Sequence, residues 1–367
     1  MRILIVTPRQ PRTTGNWVAA CRQQRGLEAL GHAVRIVEVT ELGSGLEEAV
    51  AGFAPDVVNV LHAHRGGKPW LACHHAKHIP LAVTLTGTDV NHDLNSPQAR
   101  ATILRVLAAA GAIITIHPVT RQVLALDYPE WSAKLHHVPP AVTFGDEYFD
   151  LRGRFKIPRN AVLFLHPAGL RPVKGNLELL LMFDRVVRAK RSRLVFCGPI
   201  LDADYSMGFF RALRRRPWAI YAGEVPVEAM RSVMQAADVV LNNSFSEGFS
   251  NVLQEAACLG VPVLARDIPG NRVAFEPGRQ GWLYGSSHDF LRQAVRLAKH
   301  PGLRRRLSRP TPAARSWLEE AIQLEHIYRH LLDAPARPCL RSVSCGRDDN
   351  RCSPCVVGKG HEWRVTF

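Results

Sequence analysis

No stretch of this chain approaches the roughly 18 uninterrupted apolar residues that a membrane-spanning helix requires. The opening Met1-Arg2-Ile3-Leu4-Ile5-Val6 offers only a short apolar run before Thr7-Pro8, too short for the centre of a secretory signal. These two absences make the cytoplasm the simplest expected location. Cysteine is sparse before residue 334: Cys21, Cys73, Cys197 and Cys258 are scattered in apolar contexts, which fits reduced, buried thiols better than a disulfide framework. Acidic residues are outnumbered, 32 against 47 Lys and Arg, for a formal net charge of +15. Such a surface attracts phosphates of many kinds without identifying one. Aromatic residues are also few around the two arginine clusters, Arg211, Arg214, Arg215, Arg216 and Arg304, Arg305, Arg306, Arg309; only Phe209, Phe210 and Trp218 stand nearby. Nucleic-acid modules usually interleave more aromatics with their basic residues. No specific nucleic acid is therefore expected; the clusters read as solvated helix faces or as contacts for an anionic membrane surface.

What is present is a repeated alternation of apolar strand-like runs with helical stretches, the pattern of a doubly wound parallel sheet. Strands are expected at Arg2 to Val6, Val34 to Val39, Val57 to Leu61, Leu81 to Leu85 and Ile113 to Ile116, with helices at Val18 to Leu30 and Pro97 to Ala110. A second series runs through Val162 to His166, Leu194 to Cys197, Ile220 to Ala222, Val239 to Leu241 and Val261 to Ala265. Two series imply an α/β protein of two Rossmann-like lobes, whose strand ends face a shared cleft. The divisions expected are 1–150, 151–315, a final helix over 316–333, and a Cys/Arg-rich disordered tail over 334–367. In that tail Cys339, Cys345, Cys352 and Cys355, with His361, invite comparison with a zinc site. Only Cys352 and Cys355 have the usual two-residue spacing, and a flexible, oxidisable segment is the favoured reading.

The densest chemistry lies in Ser246-Glu247-Gly248-Phe249-Ser250-Asn251-Val252-Leu253-Gln254-Glu255-Ala256, directly after an apolar strand. Gly248 removes bulk where the chain turns, Ser250 is placed to cap a helix, and Gly260 is placed to stop it. Free N–H groups at such a helix start attract anionic or oxygen-rich ligands. Two carboxylates, Glu247 and Glu255, suit a ligand with several hydroxyls, because each accepts more than one hydrogen bond. A second element, Gly169-Leu170-Arg171-Pro172-Val173-Lys174-Gly175, sets a forked cation and a point cation on a glycine-flanked loop, a pairing that can hold a diphosphate. Gly15 and Asn16 follow the first strand and open a helix, a place that suits either a close approach of ligand to backbone or a plain turn. His62 and His64 end another strand and point to opposite faces, and a buried, hydrogen-bonded role is the favoured reading for either. Asp89, in Thr86-Gly87-Thr88-Asp89, either orients a substrate hydroxyl or caps a turn.

The segment from Ser246 to Ala256, continued by Gly260-Val261-Pro262-Val263 and on to Asn271, resembles the donor-sugar motif of the retaining glycosyltransferase family 4. That family has the two-lobe GT-B fold, with a last helix that crosses back to the first lobe. The resemblance extends over Thr14-Gly15-Asn16, Leu61-His62-Ala63-His64-Arg65-Gly66-Gly67, Gly87-Thr88-Asp89-Val90-Asn91 and the Arg171–Lys174 loop, from Met1 to about Asp333. It implies transfer of a sugar from a nucleotide donor, a UDP-sugar, to an unidentified acceptor. Residues 151–315 would bind the donor and residues 1–150 the acceptor. Arg171, Lys174 and Glu247 are the implied catalytic set, Gly15, Asn16, Gly248, Phe249, Ser250 and Glu255 the implied donor contacts, and His64, Thr88 and Asp89 the implied acceptor side. No cofactor or metal is implied, since the two cations take a metal's place and no obvious Asp-x-Asp motif lies near this site. Thr86 stands where the family often has histidine, and the gap between Arg171 and Lys174 is shorter than usual. A nucleotide-sugar-binding protein with a degenerate site, and a basic RNA- or membrane-associated adaptor on the same fold, stay open at this point.

Overall fold

The computed structural model describes residues 1–40, 43, 45–310 and 316–333; the tail and its four cysteines lie outside the described residues. The first lobe is a six-stranded sheet of β1 (Arg2–Pro8), β2 (Ala33–Val39), β3 (Val57–Leu61), β4 (Leu81–Leu85), β5 (Ala112–Thr115) and β6 (Leu135–His137), in the order β2-β1-β3-β4-β5-β6. The second is built from β7 (Val162–Pro167), β8 (Ser192–Cys197), β9 (Ala219–Tyr221), β10 (Val239–Asn242), β11 (Val263–Arg266) and β12 (Gly281–Tyr284), in the order β12-β11-β10-β7-β8-β9. All strand pairs in both sheets are parallel.

Parallel strands covered on both faces bury every side chain, and β3 and β4 are buried along their whole length. The two-residue period then splits each strand between two cores. Leu4, Val6, Val58, Val60 and Val83 face one side of the first sheet, while Ile3, Ile5, Val57 and Leu61 face the other. The second sheet divides in the same way, with Phe164, Leu194, Phe196 and Leu241 opposite Leu163, Leu165, Val195 and Val240. The short outer strands β6 and β12 were not expected from the sequence. Leu-His-His and Gly-Trp-Leu-Tyr lack the apolar run that marks the inner strands, and neighbouring strands make them extended.

The closing helix (Trp317–Asp333) returns to the first lobe, as expected, and packs Ala321, Leu324, Ile327 and Tyr328 against Ile3, Ile5, Leu27 and Val57. Its position is fixed by a buried ion pair with the opening helix (Gly15–Ala29): Arg22 Nε donates to Glu320 Oε2 at 2.7 Å and Arg22 Nη2 to Glu320 Oε1 at 3.2 Å. Glu320 Oε2 also accepts from the Ala141 backbone N–H at 2.8 Å, so the carboxylate is held from two directions. Strand order reverses between β1 and β3 in the first sheet and between β10 and β7 in the second. Ligands of open parallel sheets bind where such reversals leave a crevice at the carboxyl ends of the strands.

Candidate active site

The two crevices open onto one cavity of about 460 Å³ between the lobes. From the first lobe come Gly15 and Asn16 after β1, Arg65 after β3, and Thr86, Gly87 and Thr88 after β4; from the second come Arg171 and Lys174 after β7 and Ser246 to Val252 with Glu255 after β10. All the residues expected on the donor side thus line one space.

The loop after β7 is bound to the loop after β10 before any ligand is considered. Gly175 adopts φ +61°, and Asn243 Nδ2 donates to its carbonyl at 2.7 Å. The Phe245 N–H donates to the Val173 carbonyl at 2.8 Å. This stitching carries Lys174 to Glu247, with Nζ 2.5 Å from Oε1. The same Oε1 accepts from Ser244 Oγ at 2.7 Å and Asn242 Nδ2 at 3.4 Å. Burial pushes the Glu247 carboxyl up, but the Lys174 ammonium and these donors outweigh it and hold the group below its ordinary range. Glu247 is therefore a fixed anion. Burial lowers the Arg171 guanidinium, Glu247 partly offsets that, and Arg65 facing it from the other lobe adds to the lowering. Arg171 Nε is buried without a hydrogen-bond partner.

Ser250 stands at the N-cap of the site helix (Asn251–Cys258), but its side chain does not cap it; its Oγ accepts from Asn242 Nδ2 at 2.9 Å. The first N–H groups of that helix are thus left without a side-chain cap, beside the cavity. The opening helix resembles it in this: Thr14 at its N-cap makes no capping bond, and Thr14 Oγ1 is buried without a partner. Two helix starts, one from each lobe, therefore meet at the cavity. Glu255 lies one turn further along the site helix, partly buried, its carboxylate without a hydrogen-bond partner among the described residues. Burial raises its carboxyl to about 7, a shift that the Arg22 charge only partly reverses.

The acceptor-side residues divide. Thr88 lines the cavity. Asp89 does not: its fully buried carboxylate accepts from the N–H groups of Ala63 at 3.0 Å, Thr86 at 3.1 Å, Gly87 at 2.8 Å and Val90 at 3.1 Å. Locking two loops together leaves it no capacity to orient a hydroxyl, so of its two expected roles the turn cap is the one present. His64 is also outside the cavity lining, with Nδ1 3.3 Å from Asp93 Oδ2. Asp202 and Asp204, an Asp-x-Asp pair by spacing, open another helix (Ala203–Leu213), where Asp202 Oδ1 accepts from Tyr205 N at 2.9 Å. Neither lines the cavity. Arg65, Asn242 and Ser244 are site residues for which no role was expected. All three stand at a strand's carboxyl end, and Arg65 also lies in the family-like stretch from Leu61 to Gly67.

The arginine clusters are partly structural. Arg216 forks onto Asp184, with Nη2 2.6 Å from Oδ2, and Arg304 Nη1 donates to the Leu297 carbonyl at 2.6 Å, at the end of another helix (Ser287–Lys299). No helix among the described residues is long and apolar enough to cross a membrane.

Residues 149–313 match the family model of the group 1 glycosyl transferases. Over 303 residues the chain is 26% identical to glycosyltransferase 1 domain-containing protein 1 of Xenopus tropicalis, a match covering 80% of this chain and 87% of that protein. It is also 26% identical over 295 residues to D-inositol 3-phosphate glycosyltransferase of Streptomyces avermitilis, covering 72% of this chain and 63% of that protein. Among solved structures it superposes on sucrose-phosphate synthase from Thermosynechococcus elongatus with a TM-score of 0.74 at 14% identity, covering 90% of this chain and 98% of the other. Anabaena Alr3699/HepE in complex with UDP and glucose gives a TM-score of 0.66 at 17% identity, covering 90% and 98%. At such identity these two structures speak for fold alone. Sequence and architecture agree: the chain has the two-lobe GT-B fold, and its C-terminal lobe is similar to the group 1 glycosyl transferases.

Proposed function

We propose that the protein is a retaining glycosyltransferase that moves a sugar from a UDP-sugar to an acceptor bound against the first lobe. The observation that carries this reading is the Lys174–Glu247 pair with Arg171 beside it, at the mouth of both crevices. As the bond to the anomeric carbon breaks, negative charge builds on the departing diphosphate, and cations already in place stabilise that change without reorganising. Arg171 takes the diphosphate through its fork and Lys174 as a point charge. Glu247, held by Lys174, Ser244 and Asn242, accepts from hydroxyls of the donor sugar. Glu255 accepts from the ribose hydroxyls. The two uncapped helix starts add N–H groups for phosphate oxygens. With these cations serving the leaving group, no metal or other cofactor is assigned a role. The UDP bound to Anabaena HepE, a protein of the same architecture, supports the choice of nucleotide.

The test is a panel of nucleotide sugars in thermal-shift and single-turnover assays. A donor at a hundred times its dissociation constant should stabilise the fold by about 2.7 kcal/mol. Slow hydrolysis of the same donor, with the sugar first released in its original anomeric configuration by NMR, is the expected result. Binding without turnover in a broad acceptor panel would instead mark a nucleotide-sugar sensor.

A further inference from the structure

We infer that Arg65, from the loop after β3 in the first lobe, is a third cation of the phosphate site and contacts the donor's diphosphate opposite Arg171 and Lys174. This rests on the donor-site reading above and adds to it a residue from the other lobe. Arg65 lines the cavity at the crevice between β1 and β3, as Arg171 does at the crevice between β7 and β10. Its position is built rather than incidental. His62, fully buried with φ +73°, turns the chain, and its Nε2 lies 3.0 Å from Arg65 Nε and 2.9 Å from Arg65 Nη2. Burial keeps that ring below its ordinary value, so it meets Arg65 as a neutral acceptor.

Arg65 thus has an anchor but no counter-charge. No carboxylate among the described residues forms an ion pair with it; Asp93 lies 3.7 Å from the neutral His62 ring and 3.3 Å from His64 Nδ1. Across the cleft stands Arg171, with a buried and unpartnered Nε. Two guanidinium groups facing each other from opposite lobes are stable together when an anion lies between them. Glu247 is already neutralised by Lys174. Among the groups set toward the phosphates, with Glu255 left to the ribose, Arg65, Arg171 and Lys174 against Glu247 leave two positive charges. That matches a donor diphosphate, which carries about one negative charge per phosphate. A cation on the first lobe also ties lobe closure to the ligand's charge, because Arg65 reaches the phosphate only when the lobes are together.

The experiment measures calorimetric binding of UDP, uridine and inorganic pyrophosphate to the full-length parent and to Arg65→Gln, Arg65→Lys, Arg171→Gln and Lys174→Ala. Melting temperatures verify that each variant is folded. Arg65→Gln should weaken UDP and pyrophosphate at least about ten-fold, the loss expected for a charge-assisted contact, and leave uridine unchanged. Arg65→Lys, which keeps the charge but not the fork, should fall between. If Arg171→Gln and Lys174→Ala weaken UDP while Arg65→Gln does not, the inference is overturned and the donor-site reading stands. If the parent binds neither UDP nor pyrophosphate, both fall together.

Discussion

Gly87 of the first lobe and Gly248 of the second meet across the cleft with no room for a side chain on either. A β-carbon on Gly87 would lie 2.5 Å from the Gly248 Cα, and one on Gly248 would lie 2.5 Å from the Gly87 Cα. Beside this contact Asn91 Nδ2 donates to the Glu247 carbonyl at 3.1 Å, and His117 Nε2 lies 3.4 Å from the Pro269 carbonyl. The lobes therefore touch by backbone at the residue next to the site carboxylate. The closed cleft depends on these two positions staying bare.

Gly248→Ala should hold the lobes apart. Gly248 does not have the positive φ of Gly87, so alanine there introduces the inter-lobe clash without added backbone strain. The expected result is a melting temperature within a few degrees of the parent, a larger radius of gyration in solution scattering with donor present, and turnover reduced more than ten-fold. Unchanged scattering and unchanged turnover would show that the contact is not needed for closure.

Lys174 combines a structural and a chemical role, and two variants separate them. Lys174→Met leaves the mostly buried Glu247 with only Ser244 and Asn242 as donors, and breaking a buried pair typically costs about 3–5 kcal/mol. Some exposure of both groups puts this case toward the lower end. Adding Glu247→Gln removes the stranded charge, so denaturant unfolding of the double variant should recover most of that stability. Turnover should not recover, because the leaving diphosphate has still lost its cation. Recovery of both would reduce the pair to a structural contact.

Most of the frame was legible in the residues. The inner strands are continuous Val, Ile and Leu runs, and a chain that repeats them twice with helices between can build little other than two parallel sheets. The site was legible where it rests on strand ends and glycine turns, as with Glu247, Glu255, Arg171 and Lys174. Asp89 and Arg65 mark the limit. Both follow strands and both carry charge, yet Asp89 turns inward to four backbone N–H groups while Arg65 faces the cavity on a His62 anchor. Local spacing cannot distinguish the two, because the difference lies in which loop from a distant strand arrives alongside.

The Arg22–Glu320 pair was not legible either, because its partners are far apart in sequence, and it predicts how the closing helix is fastened to the first lobe. Glu320→Ala should strand a buried guanidinium and free the Ala141 N–H, for a loss of about 3–5 kcal/mol in chemical denaturation. Donor binding by whatever protein remains folded should also weaken, since Arg22 and Glu320 line the back of the cavity. A stability loss below about 1 kcal/mol, the range of a surface pair, would show that water reaches the pair.

Glu255 predicts an unusual pH dependence of stability. Burial raises its carboxyl from 4.5 in the unfolded chain to about 7 in the folded one. Between those values the native state binds the extra proton, so stability falls as pH rises through this window and levels off above it. Glu255→Gln has no proton to lose. It should match the parent near pH 5 and exceed it near pH 8 by on the order of 1–3 kcal/mol, the upper figure being a shift of this size converted to free energy. Ligand binding should run the other way, because hydroxyls of a ribose donate best to the ionised carboxylate. Binding of UDP should then release a proton from Glu255 near pH 7, visible as a dependence of calorimetric heat on the buffer's ionisation enthalpy, and the variant should show neither the release nor the parent's affinity. Parallel melting profiles for parent and variant from pH 5 to pH 8, with equal proton release on binding UDP, would place Glu255 outside the ligand's reach and leave the ribose to other groups in the cavity.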